Sequence, residues 1–140
     1  MNDPFALERF VLAQGPVYDH VLAELRNGRK TSHWMWFVFP QVNGLGTSPM
    51  AQKYAISSLE EATAYLDHPV LGPRLWECCN ILMTTEGLSA EDIFGYPDVL
   101  KLRSSMTLFS KAAPAPNIFG GILEKYYGGE PDPGTLPLIR

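Results

Sequence analysis

The chain has 140 residues, of which 46% are apolar and 19% charged, and a formal net charge of −4. That balance suits one packed domain and excludes a disordered chain and a generally basic nucleic-acid binder. No apolar run approaches the ~20 residues of a membrane-spanning helix. The N-terminal stretch MNDPFALERF carries acids and no apolar core. No secretory signal is expected, and the expected location is the cytoplasm.

Helix signals recur along the chain and strand signals do not. Asp3 followed by Pro4 predicts a first helix, with Phe5, Leu7, Phe10 and Val11 at helical spacing and Gly15 at its end. Pro16 opens a second, with Val17, Val21, Leu22 and Leu25 as its apolar stripe and Gly28 beyond its end. The apolar run His33–Phe39 then predicts a short helix with Ser32 as its cap. A buried strand is the rival reading, although it would lack a partner. Pro40 stops either one, and residues 42–47 form a Gly-bearing loop. Ser48-Pro49 starts a further helix. Ser58 and Glu61 have the spacing of a capping box for one over 59–66. Leu71, Leu75, Cys78, Cys79 and Leu82 describe a long core helix, with Pro73 held to its first turn. A single capped turn follows at 89–94. A helix from Pro97 to Lys111 and a last one over 117–127 complete the series. The pattern defines an all-α fold, one compact domain over residues 1–140 with seven or eight helices, some short. Residues 130–140, with three prolines, are expected as an extended C-terminal tail whose Leu136, Leu138 and Ile139 can dock on the body.

Four stretches carry a family resemblance: GRKTSHWMWFVFPQVNGLG, YAISSLEEATAYLDHPVLGPRL, DVLKLRSSMTLF and GGEPDPGTLPLI. Through them the chain resembles a bacterial family of uncharacterised, mainly α-helical proteins, sometimes labelled "calpastatin". The resemblance spans essentially the whole chain and implies a helical fold. It implies no activity, substrate or catalytic residue. Calpastatins are long, disordered protease inhibitors, and this compact apolar composition is their opposite, so that label is rejected.

The distribution of charge points to a site. Between Glu24 and Glu60 there is no acid, while Arg26, Arg29, Lys30 and Lys53 lie there. Between Asp98 and Glu124 there is again none, while Lys101, Arg103 and Lys111 lie there. Either both stretches are solvated helix faces, or they share an anion-binding face. On the second reading Arg29, Lys30, Lys101 and Arg103 hold an anion, because Arg grips phosphate or carboxylate with two parallel bonds and Lys adds a point charge. His33 is the candidate general acid or base. Trp34 and Trp36, about 200° apart on a helix, cannot share a face. One can line the core and the other a pocket where it stacks on a flat ring, or both can be core. Gln41 offers donors and an acceptor for ring or amide recognition, and Ser104 is a polar partner for the anion or a small residue at a close helix crossing.

Cys78 and Cys79 are neighbours and are expected as reduced thiols. No histidine pair has metal-ligand spacing, so neither a metal nor a cofactor is expected. The expected function is binding or processing of a small anionic, nucleotide-like molecule in a basic, aromatic cleft. The alternative is a non-catalytic interaction module with the aromatic run partly exposed. RNA binding is disfavoured by the acidic total. Oligomeric state is left open.

Overall fold

The computed structural model describes residues 2–139. Met1 and Arg140, the two ends of the predicted domain, lie outside the described residues. Among the described residues there are nine α-helices and two 3₁₀ turns, with no strand. The helices are α1 (Glu8–Gln14), α2 (Tyr18–Arg26), α3 (Met35–Val38), α4 (Pro49–Lys53), α5 (Leu59–Asp67), α6 (Leu71–Thr84), α7 (Ala90–Phe94), α8 (Asp98–Ala112) and α9 (Ile118–Tyr127). The all-α expectation holds, because the apolar residues recur at helical spacing and local side-chain caps define four of the nine starts. Ser48, Ser58, Ser89 and Asn117 each accept a backbone N–H from the first turn of α4, α5, α7 and α9.

Two starts differ from expectation. Asp3 does not cap a helix at Pro4. Its carboxylate instead takes the N–H groups of Leu7 and Glu8, so the turn at 3–6 precedes α1. α1 ends at Gln14 with Gly15 as its C-cap, as expected, but the second helix does not open at Pro16: a 3₁₀ turn over Gly15–Val17 comes first, and α2 starts at Tyr18.

Four longer helices form the body. α5 packs on α6 and α8, and α9 packs on the same two, closing a ring. Phe10, Tyr65, Phe109 and Phe119 run through it as successive ring pairs 5.2–5.7 Å apart. α1 lies on α3, α2 on α6, and α7 on the side of α8. Burial of these rings is the main stabilising term, about 25 cal/mol per Å² of apolar surface removed from water.

Two polar anchors hold the layers. Gln14 is buried, and its amide donates to the Phe37 carbonyl (2.7 Å) and to the Tyr65 hydroxyl (2.9 Å). Arg9 donates to the carbonyls of Phe5, Ala6, Lys53 and Ala55 and to Glu61 Oε2 at 3.0 Å. Glu61 also accepts from the Ser57 N–H and hydroxyl. Its side chain therefore pins the N-terminal segment to α5, beyond the helix-start role read from the Ser58–Glu61 spacing.

The tail departs from the extended expectation. Asp132 Oδ2 accepts from Thr135 Oγ1 (2.6 Å) and lies 3.0 Å from Ser104 Oγ, while the Asp132 N–H donates to Thr107 Oγ1 (2.8 Å). A 3₁₀ turn, Leu136–Leu138, follows and Ile139 enters the core. Three prolines stiffen the segment, but the carboxylate of Asp132 folds it back on α8.

Candidate functional site

The site begins with a loop held from outside. Residues 28–34 leave α2 and must turn before the aromatic run. Glu24, in the last turns of α2, receives the Thr31 N–H (2.7 Å), the Ser32 N–H (3.0 Å), the Ser32 hydroxyl (2.5 Å) and the Trp34 indole N–H (3.0 Å). Burial opposes ionisation of this carboxyl, but the donors from Ser32, Thr31 and Trp34 outweigh it and hold the group at about 2. Ser32, expected as the cap of the short helix, is thus bound to Glu24, and α3 starts from Trp34 without a side-chain cap. The Lys30 N–H donates to the Ile93 carbonyl at the end of α7 (2.7 Å), tying the loop to the other wall.

The aromatic run builds the floor. Trp34, Met35, Phe37, Val38 and Phe39 are buried, and only Trp36 is partly exposed. Trp34 packs against Phe39 and Phe94. It is a core residue at 1% exposure and presents no face to a ligand. Trp36, two residues on, points the other way.

The two acid-poor stretches meet at Asp98, the first residue of α8. Its Oδ2 lies 2.7 Å from Lys30 Nζ and its Oδ1 3.4 Å from Lys101 Nζ. Lys30 Nζ stands 5.1 Å from the centroid of the Trp34 ring, and Lys101 Nζ 4.9 Å from that of Trp36. Each ammonium is therefore fixed between a carboxylate oxygen and an indole face. The Lys30 side chain is only 7% exposed, so its position is set by packing. The helix start favours Asp98 there, since the dipole stabilises an acid in the first turn.

Two hollows open beside this cluster. The first, about 360 Å³, is lined by Lys30, His33, Trp36, Tyr96, Asp98 and Lys101, among others. The second, about 450 Å³, is lined by Gln41, Ser48, Leu100, Ser104 and Asp132 together with the same Trp36 and Lys101. Trp36, Pro97 and Lys101 form the wall common to both. Gln41 reaches the second hollow because its carbonyl accepts the Ile56 N–H (2.8 Å) in an isolated bridge that pairs Val42 with Ile56.

Lys30, His33, Trp36, Gln41, Lys101 and Ser104 thus line two neighbouring hollows, or lobes, that share one wall. Arg29, Trp34 and Arg103 do not join them. Arg29 is exposed and lines neither lobe. Arg103 lies two residues beyond Lys101, about 200° further round the helix. There it donates to the Glu130 carbonyl (3.0 Å) and pairs with the Glu130 carboxylate (3.5 Å). Asp98 and Glu24 are the residues that reading the sequence missed. Their signal was present, for they are the acids that bound the two acid-poor stretches on the N-terminal side.

Among the described residues no His, Cys, Asp or Glu cluster could hold a metal, and no helix is long and apolar enough to cross a membrane. Both cysteines are buried free thiols. Burial pushes Cys78 up to about 12 and Cys79 well above its ordinary value, which disfavours the thiolate at both.

Fold and site define a small all-helical domain with a lysine–tryptophan hollow on one side of its helical ring. The signature of DUF1810, a family of proteins of unknown function, matches residues 4–139, and the chain belongs to that family. It is similar to the conserved hypothetical protein Rv1873 from Mycobacterium tuberculosis, known from a crystal structure. The two are 60% identical over 98% of each chain, with a TM-score of 0.96. No curated protein matches the chain.

Proposed function

We propose that the protein binds a small anionic molecule bearing a flat ring, with nucleotide-like chemistry, in the two-lobed hollow. The observation that carries this reading is the meeting of Lys30 and Lys101 across the Asp98 carboxylate, beside Trp36. Two ammoniums held rigidly on an aromatic wall are pre-organised for an anion, which reduces the ordering that binding would otherwise require. The anionic group belongs in the first lobe, against both lysines. The ring belongs along Trp36 toward Gln41, whose amide can both donate and accept. His33 borders the first lobe. If a reaction follows binding, its imidazole is the group to carry the proton. A cytoplasmic site of action is consistent with two free thiols.

The alternative of an interaction module drew on an exposed aromatic run. Of Trp34 to Phe39 only Trp36 is not buried, which favours a ligand pocket.

A thermal-shift screen against nucleotides and sugar phosphates tests the reading. Removing a charge-assisted contact typically costs ~1.5–3 kcal/mol, so Lys101→Ala should weaken the best ligand by at least about tenfold. Arg29→Ala should leave its affinity within about twofold, as an exposed charge outside the hollow. Equal losses in both proteins would contradict the proposed site.

A further inference from the structure

We infer that Asp98 makes the site selective for singly charged anions, phosphodiesters or carboxylates, over the dianion of a phosphate monoester. This rests on the anion-binding reading above and adds the charge class of the ligand.

The first lobe contains a fixed charge balance. Of the Lys, Arg, Asp and Glu side chains that line it, Lys30 and Lys101 contribute two positive charges and Asp98 removes one, leaving a single net positive charge beside the hollow and the His33 imidazole. The Asp98 carboxylate cannot swing away at no cost. It bridges both ammoniums, one oxygen to each, and sits in the first turn of a 15-residue helix whose dipole favours it. An incoming anion must therefore approach the lysines with a carboxylate already beside them. A monoanion completes the balance. A second negative charge on the same ligand gains no further unpaired lysine or arginine and meets Asp98, itself partly buried, at short range.

The second lobe reinforces the direction of binding. Besides the shared Lys101, its charged group is Asp132, which Thr135 donates to and which lies 3.0 Å from Ser104 Oγ. An anionic group placed there faces a carboxylate. The neutral, flat part of the ligand is left to that lobe, between Trp36, Gln41 and Leu100. A ligand of this shape carries its one charge at one end, near Lys30, and its ring at the other. A phosphate monoester carries ~1.5–2 charges near neutral pH, whereas a diester carries one.

The test is calorimetric titration at pH 7.5 with three probes: adenosine 5′-monophosphate, its phosphate methyl ester and adenosine. The wild-type protein should bind the methyl ester at least about fivefold more tightly than the monophosphate, and adenosine more weakly than either. Asp98→Asn keeps the shape and removes the charge, and should shift the monophosphate-to-ester ratio by about tenfold in favour of the monophosphate. The wild-type ratio is itself a test, so the inference stands or falls even if Asp98→Asn does not fold. Equal binding of the two anions by the wild type, or a ratio that Asp98→Asn leaves unchanged, overturns the charge selectivity while leaving the anion site standing. Failure of both anions to bind better than adenosine overturns the anion-binding reading, and the inference with it.

Discussion

Glu24 carries more of the site's geometry than any residue that faces the hollow. Four hydrogen bonds to one carboxylate set the path of residues 31–34, and with it the placement of Lys30 and His33 on either side. Glu24→Gln keeps the shape but loses the charge, and should destabilise the protein by about 1–2 kcal/mol in urea unfolding, the lower part of the charge-assisted range because the loop is solvent-facing. The pH dependence follows from the depressed folded value. The ionised form is favoured by folding, so the contribution is fully present above about 4.5 and lost as pH falls from there toward about 2. Acid unfolding of Glu24→Gln should accordingly be shallower than that of the wild type across this window. If the two acid curves run parallel, the clasp is not the source. The cysteines give a second residue-scale expectation. With both thiols buried and pushed upward, a disulfide exchange reagent should react with neither in the native protein and with both in denaturant. Rapid labelling of the native protein would show an exposed thiol and contradict the packing of α6.

At the scale of elements, the four helix starts with side-chain caps were legible and the long-range fastenings were not. Ser48, Ser58, Ser89 and Asn117 lie a few positions from the groups they cap, so spacing reveals them. The partners of Arg9, Lys30 and Asp132 lie on other elements, and no periodicity encodes them. Arg103 shows a different failure. It was grouped with Lys101 by nearness in sequence, although the helical rotation that separates Trp34 from Trp36 also separates these two. The fastenings make predictions of their own. Arg9→Ala leaves Glu61, buried on α5, with Ser57 as its remaining side-chain partner, and should cost about 2–4 kcal/mol in equilibrium unfolding. Arg9→Lys should recover little of it, because one ammonium cannot reach the carbonyls on both sides that the guanidinium joins. Asp132→Ala removes the carboxylate shared by Ser104 and Thr135 and should loosen residues 132–139 on α8, seen as faster limited proteolysis there while the helical signal in circular dichroism is retained. Unchanged proteolysis would mean that the Arg103–Glu130 contacts, the Asp132 N–H bond to Thr107 and the burial of Ile139 secure the segment without the carboxylate.

For the whole molecule, an acidic chain brings two lysines to one hollow by pairing both with a single acid, Asp98. Each acid-poor stretch of the sequence, 25–59 and 99–123, supplies one lysine to the hollow. The bounding acids, Glu24 and Asp98, are visible as the edges of those stretches, but their partners are not: Glu24 clasps residues 31–34 and Asp98 pairs with Lys30 across the fold. The apolar run after Lys30 has a matching role. Five of its six residues, Trp34 to Phe39, enter the core and hold the loop still, and the sixth, Trp36, is left as the wall. The central claim is that this wall is where a ligand lies. The chain has three tryptophans, and their indole N–H resonances separate core, wall and outer surface. Titration with the methyl ester of adenosine 5′-monophosphate should move the Trp36 resonance, assigned with Trp36→Phe, and leave that of Trp76, 54% exposed on α6, in place. Movement of Trp76 with Trp36 unchanged, or of neither at saturating ligand, would contradict the account.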